Sequence, residues 1–289
     1  MRIGIMPATG TPVATSEYIT TVGRAADELG FHSFWAPEHV VFFEEYSSRY
    51  PYTPDGRINM RIGGPIDPFQ VLTFAAAVTS RIRLGTGICL VPQRNPVYTA
   101  KEVAGLDWLS NGRFDFGVGI GWLKEEFAAV DVPWPDRAGR TREYIEVMQQ
   151  LWSEGVAEYH GTYYDLPACI QHPKPVQQPH PPIFFGGESE PALKRVAAQG
   201  QGWFGFDLGP DEAREHLTRL DRELAANGRS RADIEVFVSP FRRAPTRDLI
   251  EQYEEVGVDQ VIVPVGGREA ADAVARLEQL ANELLPTKV

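Results

Sequence analysis

The first residues with chemical use are a glutamate and a histidine at the end of an apolar run. Glu38-His39 follows Ser33–Pro37 (SFWAP). Histidine has the side chain whose ordinary pKa lies nearest neutrality, so His39 could give or take a proton, with Glu38 tuning or orienting it. The competing reading is a histidine packed under the following segment and bonded to backbone. Glycine clusters mark three further places. Gly85-Thr86-Gly87-Ile88 sits inside the apolar run Ile82–Leu90. Glycine weakens a strand and is kept where the chain bulges or where a ligand or second backbone comes close. Gly117-Val118-Gly119-Ile120-Gly121-Trp122 places three glycines on alternate positions, a side-chain-free wall on which a flat ring could lie. It is not the dinucleotide fingerprint, because Trp122 stands where the last glycine of G-x-G-x-x-G would be. Gly186-Gly187-Glu188-Ser189 and Gly266-Gly267-Arg268 each precede a helical run. Either could offer free backbone N–H groups to a phosphate, and the general habit of barrels favours the second.

Something must hold these residues together, and the hydrophobic pattern says what. Short β-rich runs alternate with amphipathic ones. The β-runs are Arg2–Met6, Ser33–Pro37, Ile82–Leu90, Phe114–Val118, Ile183–Phe185, Trp203–Phe206, Ile234–Ser239 and Gln260–Val265. Helical spacing follows each: 17–30, Pro68–Thr79 capped by Asp67, Pro96–Leu109 capped by Asn95, Gly139–Trp152, Glu190–Gln199 capped by Ser189, Pro210–Asn227, Thr246–Val256 and Arg268–Leu285. Parallel strands with helical crossovers make an open sheet or a closed barrel, and a count of eight favours an α/β fold of the (β/α)8 TIM-barrel type. Every candidate then falls just past a strand, on the carboxyl-end rim where such barrels work. Two long segments interrupt the beat, one after strand two (Glu38–Asp67) and one between strands four and five (Gly155–Pro182). The first, with Tyr46, Tyr50, Tyr52, Arg57 and Arg61, is placed to cover a substrate. No repeat, low-complexity tract or linker breaks the chain, so residues 1–289 are expected to form one unit.

Composition narrows the classes. The chain has 289 residues, a net charge of −11, and 43% hydrophobic against 23% charged residues, the balance of a globular protein. No basic run suggests a nucleic-acid face, and no apolar stretch approaches the ~18 residues of a membrane span. Cys89 and Cys169 lie far apart with no metal-ligand spacing, so no metal is expected, and reduced thiols fit the cytoplasm. The remaining histidines are weaker candidates. His172 and His180 flank a Pro-rich connector, His160 lies in a polar stretch, and His32 and His216 read as surface residues. Trp203 is equally suited to core or cofactor contact.

Three runs carry a family resemblance: AADELGFHSFWAPEH, RIRLGTGICLVPQRNPVYTAKEVAGLDWLSNGRFDFGVGIGWLKEEF and PKPVQQPHPPIFFGGESEPALKRVAAQGQGWF. In these the chain resembles the luciferase-like superfamily, and within it the oxidoreductases that use the deazaflavin coenzyme F420. The resemblance covers most of residues 24–204 and is loose beyond. It implies a (β/α)8 barrel, a flavin-type cofactor and a small-molecule substrate. By it, Glu38 and His39 contact the cofactor ring, and a non-prolyl cis peptide between Gly87 and Ile88, beside Thr86, cradles it. Gly119, Ile120, Gly121 and Trp122 line the cofactor, with Glu125 nearby. Gly186, Gly187, Glu188 and Ser189 contact its phosphate, which displaces the strand-eight turn from first choice. Sugar-phosphate dehydrogenases of the family carry Asp-His where this chain has Glu38-His39, and their cationic substrate-phosphate residues find no counterpart here. The implied activity is F420-dependent hydride transfer to or from an organic substrate. FMN-dependent monooxygenation is the second reading, and a non-catalytic flavin-binding barrel the third. Family members are often homodimers, so the resemblance also implies a homodimer.

Overall fold

The computed structural model describes residues 1–58 and 63–286. Strand β1 (Arg2–Pro7) is followed by helix α1 (Ser16–Leu29). Thr15 caps α1 by accepting from the Tyr18 N–H, and Gly30, at φ 98°, closes it in the left-handed region that glycine enters without a Cβ penalty. Strand β2 (Ser33–Ala36) leads through the first long segment to α2 (Pro68–Val78), with the Asp67 carboxylate on the N–H groups of Phe69 and Gln70. The apolar run 82–90 is not one strand. It divides into β3 (Arg83–Thr86) and β4 (Cys89–Leu90) around a cis Gly87–Ile88 peptide, followed by a 3₁₀ turn at Val91–Gln93. Asn95 caps α3 (Pro96–Leu109), which runs to β5 (Phe114–Gly119).

Two elements after β5 escape a periodicity reading. A six-residue helix, α4 (Lys124–Ala129), precedes α5 (Arg137–Trp152). The second long segment holds an antiparallel hairpin, β6 (Ala157–His160) and β7 (Asp165–Cys169). The regular alternation then resumes with β8 (Ile183–Gly186), α6 (Glu190–Gln199), β9 (Gly202–Phe206), α7 (Pro210–Ala226), β10 (Glu235–Ser239), α8 (Arg247–Glu255), β11 (Gln260–Val265) and α9 (Ala270–Leu284).

Eight parallel strands close on themselves in the order β3-β2-β1-β11-β10-β9-β8-β5, with β3 pairing back to β5. The seam is a true ladder, with Leu84 opposite Phe114 and Gly85 opposite Asp115. The protein is therefore a (β/α)8 barrel with insertions after β2 and between α5 and β8. Met6, Trp35, Phe184, Phe204, Phe237 and Ile262 fill the interior. Trp35 is the central plug, with its indole N–H on the Ser33 hydroxyl at 2.7 Å. Gly85 leaves room for that indole, since a Cβ there would lie 2.5 Å from its ring carbons. The plug fills the barrel interior below the carboxyl-end rim. Two histidines expected at the surface are half-buried instead. His32 is held near pKa 4 by burial and then by Arg2 and Arg83, and His216 lies 5.9 Å from the Trp203 ring.

Candidate functional site

The carboxyl ends of the strands surround a cavity of about 580 Å³, within the range of small-molecule and cofactor sites. Its border includes Pro37, Glu38 and His39 after β2, and Gly87 and Ile88 between β3 and β4. Gly119, Ile120, Gly121 and Trp122 border it at the end of β5, and Gly186 and Gly187 at the end of β8. Val265 at the end of β11 and Gly266 after it border the same cavity, so both glycine turns considered for a phosphate open on it.

His39 is held by a residue that the sequence reading did not name. Its Nδ1 lies 3.2 Å from both carboxylate oxygens of Glu126, on α4. Glu126 is fully buried and also accepts from the Val40 N–H at 2.6 Å and from the Gln93 amide at 3.1 Å. Burial works to raise the Glu126 pKa. The bonds from His39, Gln93 and Val40 outweigh it and hold the group below its ordinary value. An ionised carboxylate only accepts, so the imidazole proton sits on Nδ1 and Nε2 is left for chemistry.

The expectation that Glu38 orients His39 is corrected by this geometry. The Glu38 carboxylate accepts from the Leu90 N–H at 2.5 Å and from Arg94 Nε at 2.6 Å. Arg94 also pairs with Asp67 and Glu102. Glu38 therefore braces the end of β2 against β4 and the start of α2. Thr86 is corrected too. It is fully buried, its hydroxyl donates to the Gly117 carbonyl at 2.7 Å, and it does not border the cavity.

The glycines of β5 do not leave a bare wall. A Cβ at Gly117 would fall 1.9 Å from the Thr86 carbonyl oxygen, and one at Gly119 would fall 2.1 Å from Ile88 Cδ1. Their smallness admits the β3–β4 bulge, and the Ile88 side chain fills the space that Gly119 and Gly186 leave. The surface offered to a ring is thus the Gly87–Ile88 bulge, supported from behind by glycines.

In the β8 turn, Gly187 has φ 106°, and its carbonyl accepts from the Trp203 indole at 2.9 Å. Trp203 is otherwise core. Ser189 is the N-cap of α6, with its side chain on the Ala192 N–H. Glu188 does not border the cavity. It takes the Phe206 N–H at 2.9 Å and the Tyr52 hydroxyl at 3.0 Å, and burial raises its pKa.

The insertion after β2 folds over this rim. Tyr50, Pro51, Tyr52, Ile58, Gly63 and Pro65 border the cavity. Tyr46 and Tyr50 lie 5.9 and 5.0 Å from the Trp122 ring. Glu125 fastens the insertion from α4, accepting from the Ser47 N–H at 2.6 Å and from the Ser47 and Ser48 hydroxyls at 2.8 and 2.7 Å. Burial opposes its ionisation, but those bonds hold its pKa at about 2. Arg57 stays outside the cavity, stacked on Tyr46, and Arg61 lies outside the described residues. Phe204, Phe206 and Phe241 complete the border from β9 and the turn after β10. The aromatic end of the β9 run, Trp203–Phe206, could have signalled Phe204 and Phe206, whereas Phe241 lies in a turn that no pattern marked.

Fold and rim together define a class: a TIM barrel whose carboxyl-end mouth is roofed by the segment after strand two and holds one histidine on a carboxylate. The sequence model of the luciferase-like monooxygenase family matches residues 1–255, and the chain belongs to that family. An uncharacterized protein of Mycobacterium tuberculosis is 35% identical over 263 residues, covering 90% of this chain and 92% of that one. Among solved structures, the monooxygenase RslO1 from Streptomyces bottropensis superposes with a TM-score of 0.79 at 22% identity, over 99% of both chains. The coenzyme F420 dependent tetrahydromethanopterin reductase from Methanopyrus kandleri superposes with a TM-score of 0.77 at 20% identity, over 99% of this chain and 98% of that one. Among the described residues, no helix is long and apolar enough to cross a membrane.

Proposed function

We propose that the protein is an oxidoreductase that uses the deazaflavin coenzyme F420, with hydride transfer to or from an organic substrate. The observation that carries this reading is His39, on the cavity wall with Nδ1 committed to Glu126 and Nε2 free. Hydride transfer to or from a polar bond needs a proton moved at the partner atom, and an imidazole poised this way supplies it. The likeness to an F420-dependent reductase over nearly the whole chain supports the cofactor choice.

The residues present fit such a cofactor. A flat ring needs an apolar seat, and Gly87 and Ile88 form one, with Trp122 on the same cavity. A phosphate needs N–H groups, and the Gly186–Gly187 turn ahead of α6 is built to offer them. When bound, the deazaflavin supplies a ring carbon, C5, that carries the hydride. The protein's own part is to bind and orient the two partners, exclude water under the insertion, and accept or return a proton at His39 Nε2. The reading places the enzyme in the cytoplasm, where Cys89 and Cys169 stay reduced.

FMN-dependent monooxygenation is the second reading, favoured by the superposition on RslO1. Titration with each cofactor separates the two through quenching of Trp122 fluorescence. Saturable quenching by F420, with none by FMN, is the expected result, and the reverse makes the monooxygenase reading first. In the F420-loaded enzyme, His39→Ala is expected to lower kcat by about 100-fold or more while the cofactor Kd stays within a few fold. Unchanged turnover would make His39 a packing residue. Cofactor binding without turnover on any substrate tested would leave a non-catalytic flavin-binding barrel.

A further inference from the structure

The side chains over the cavity mouth touch in an unbroken belt. Between ring centroids, Phe42 lies 4.9 Å from His39, and His39 5.9 Å from Trp122. Trp122 lies 5.0 Å from Tyr50, Tyr50 5.4 Å from Tyr52, Tyr52 4.8 Å from Phe206, and Phe206 4.9 Å from Phe241. The four contacts from His39 to Phe206 are edge-to-face, with interplanar angles between 65° and 79°. The belt joins elements far apart in sequence: the insertion, the end of β5, the end of β9 and the turn after β10.

Charge is scarce on this wall. Among the described residues, no lysine or arginine borders the cavity, and Glu38 is the one carboxylate that does. Glu38 is already occupied by Arg94 and the Leu90 N–H. An anion entering the belt would lose its water and meet no unpaired cation, because Arg242 beside Tyr50 is already paired with Asp207, whereas a neutral ring would gain apolar and quadrupolar contact. Four polar groups on this wall have no hydrogen-bond partner among the described residues: His39 Nε2, the Trp122 indole N–H, the Thr9 hydroxyl and the Tyr50 hydroxyl, the last beside Tyr52, whose own hydroxyl is spent on Glu188. Burial and then Asp207 push the Tyr50 phenol up to about 12, so it remains a neutral donor at any working pH.

We infer that the belt is the substrate subsite, and that it takes an uncharged, ring-bearing compound with one hydrogen-bond-accepting oxygen while rejecting phosphorylated or carboxylated ones. This deepens the proposed function and rests on it in treating the cavity as a redox site.

The test is calorimetric titration of the F420-saturated protein with 2-acetylnaphthalene, naphthalene, 2-naphthoate and 2-naphthyl phosphate. The ketone is expected to bind about tenfold or more tighter than either anion. Phe241→Ala, at a half-exposed position that spares the core, is expected to weaken ketone and hydrocarbon alike by roughly fivefold. Tyr50→Phe is expected to weaken the ketone by roughly fivefold and leave naphthalene unchanged. Equal or tighter binding of 2-naphthyl phosphate, binding of no probe, or indifference to both substitutions would overturn the inference. If F420 and FMN both fail to bind, the same titrations are run on the protein alone. A ketone preference there keeps the subsite and removes the redox reading, while F420 binding with a phosphate preference does the opposite.

Discussion

His39 and Glu126 form a unit whose parts lie 87 residues apart in sequence. Adjacency pointed to Glu38 as the partner, but neighbours on a strand end face opposite ways, and Glu38 turns inward to Arg94. Glu126→Gln is expected to lower kcat about tenfold or more with little change in cofactor Kd, because an amide fixes the imidazole proton less firmly than a carboxylate. Glu126→Ala also strands the Val40 N–H and the Gln93 amide, and chemical denaturation is expected to show a loss of about 1–3 kcal/mol for each buried group left unpaired. The sign of its pH dependence follows from the depressed pKa. The stabilisation by Glu126 is full above its ordinary value near 4.5 and is lost as pH falls through the lower folded value. Glu188 has the opposite sign. Its folded pKa is raised, so ionising it weighs against the fold increasingly as pH climbs from about 4.5 through the folded value. Glu188→Gln can keep contacts to Phe206 and Tyr52 without that charge. It is expected to match or exceed the wild-type Tm at pH 7, with the difference gone at pH 4; a Tm well below wild type at pH 7 would refute this.

At the scale of elements, the helices and their caps were legible because they follow local rules. Asp67, Asn95 and Ser189 all cap as their side chains dictate. The β6–β7 hairpin was not legible, because its strands are short and largely exposed and lack clean alternation. The division of 82–90 into β3 and β4 depends on packing from β5. Gly119→Ala would place a methyl 2.1 Å from Ile88 Cδ1, an overpacking expected to cost about 1–3 kcal/mol. Adding Ile88→Ala should return part of that loss, since the clash is with a side chain. Gly117→Ala should not be rescued in this way, because its clash is with the Thr86 backbone. Urea denaturation of the single and double variants measures both outcomes.

At the scale of the whole molecule, α2 and α3 leave large apolar side chains in solvent, Phe74 at 50%, Tyr98 at 75%, Trp108 at 59% and Leu109 at 69% exposure. Scattered apolar residues on a surface are ordinary, but this many on two consecutive helices suit a cover. A second copy of the chain is the expected cover, and sedimentation should give a dimer that Trp108→Lys shifts toward monomer. A monomeric wild type at micromolar concentration would remove the expectation.

By itself, the sequence determined the barrel and the rim. Eight β-runs, each with its helix, favour a closed barrel over an open sheet, and the residues past each parallel strand must share one end. Likeness over residues 24–204 also placed the cis linkage at Gly87–Ile88. Only the tertiary structure decided which rim groups meet. It set Glu126 rather than Glu38 on His39, turned the β5 glycines into support for Ile88, and joined distant aromatics into one belt. Periodicity reports which face of an element is apolar, whereas a pair of side chains across the barrel depends on register, bulges and loop paths, which no local pattern encodes.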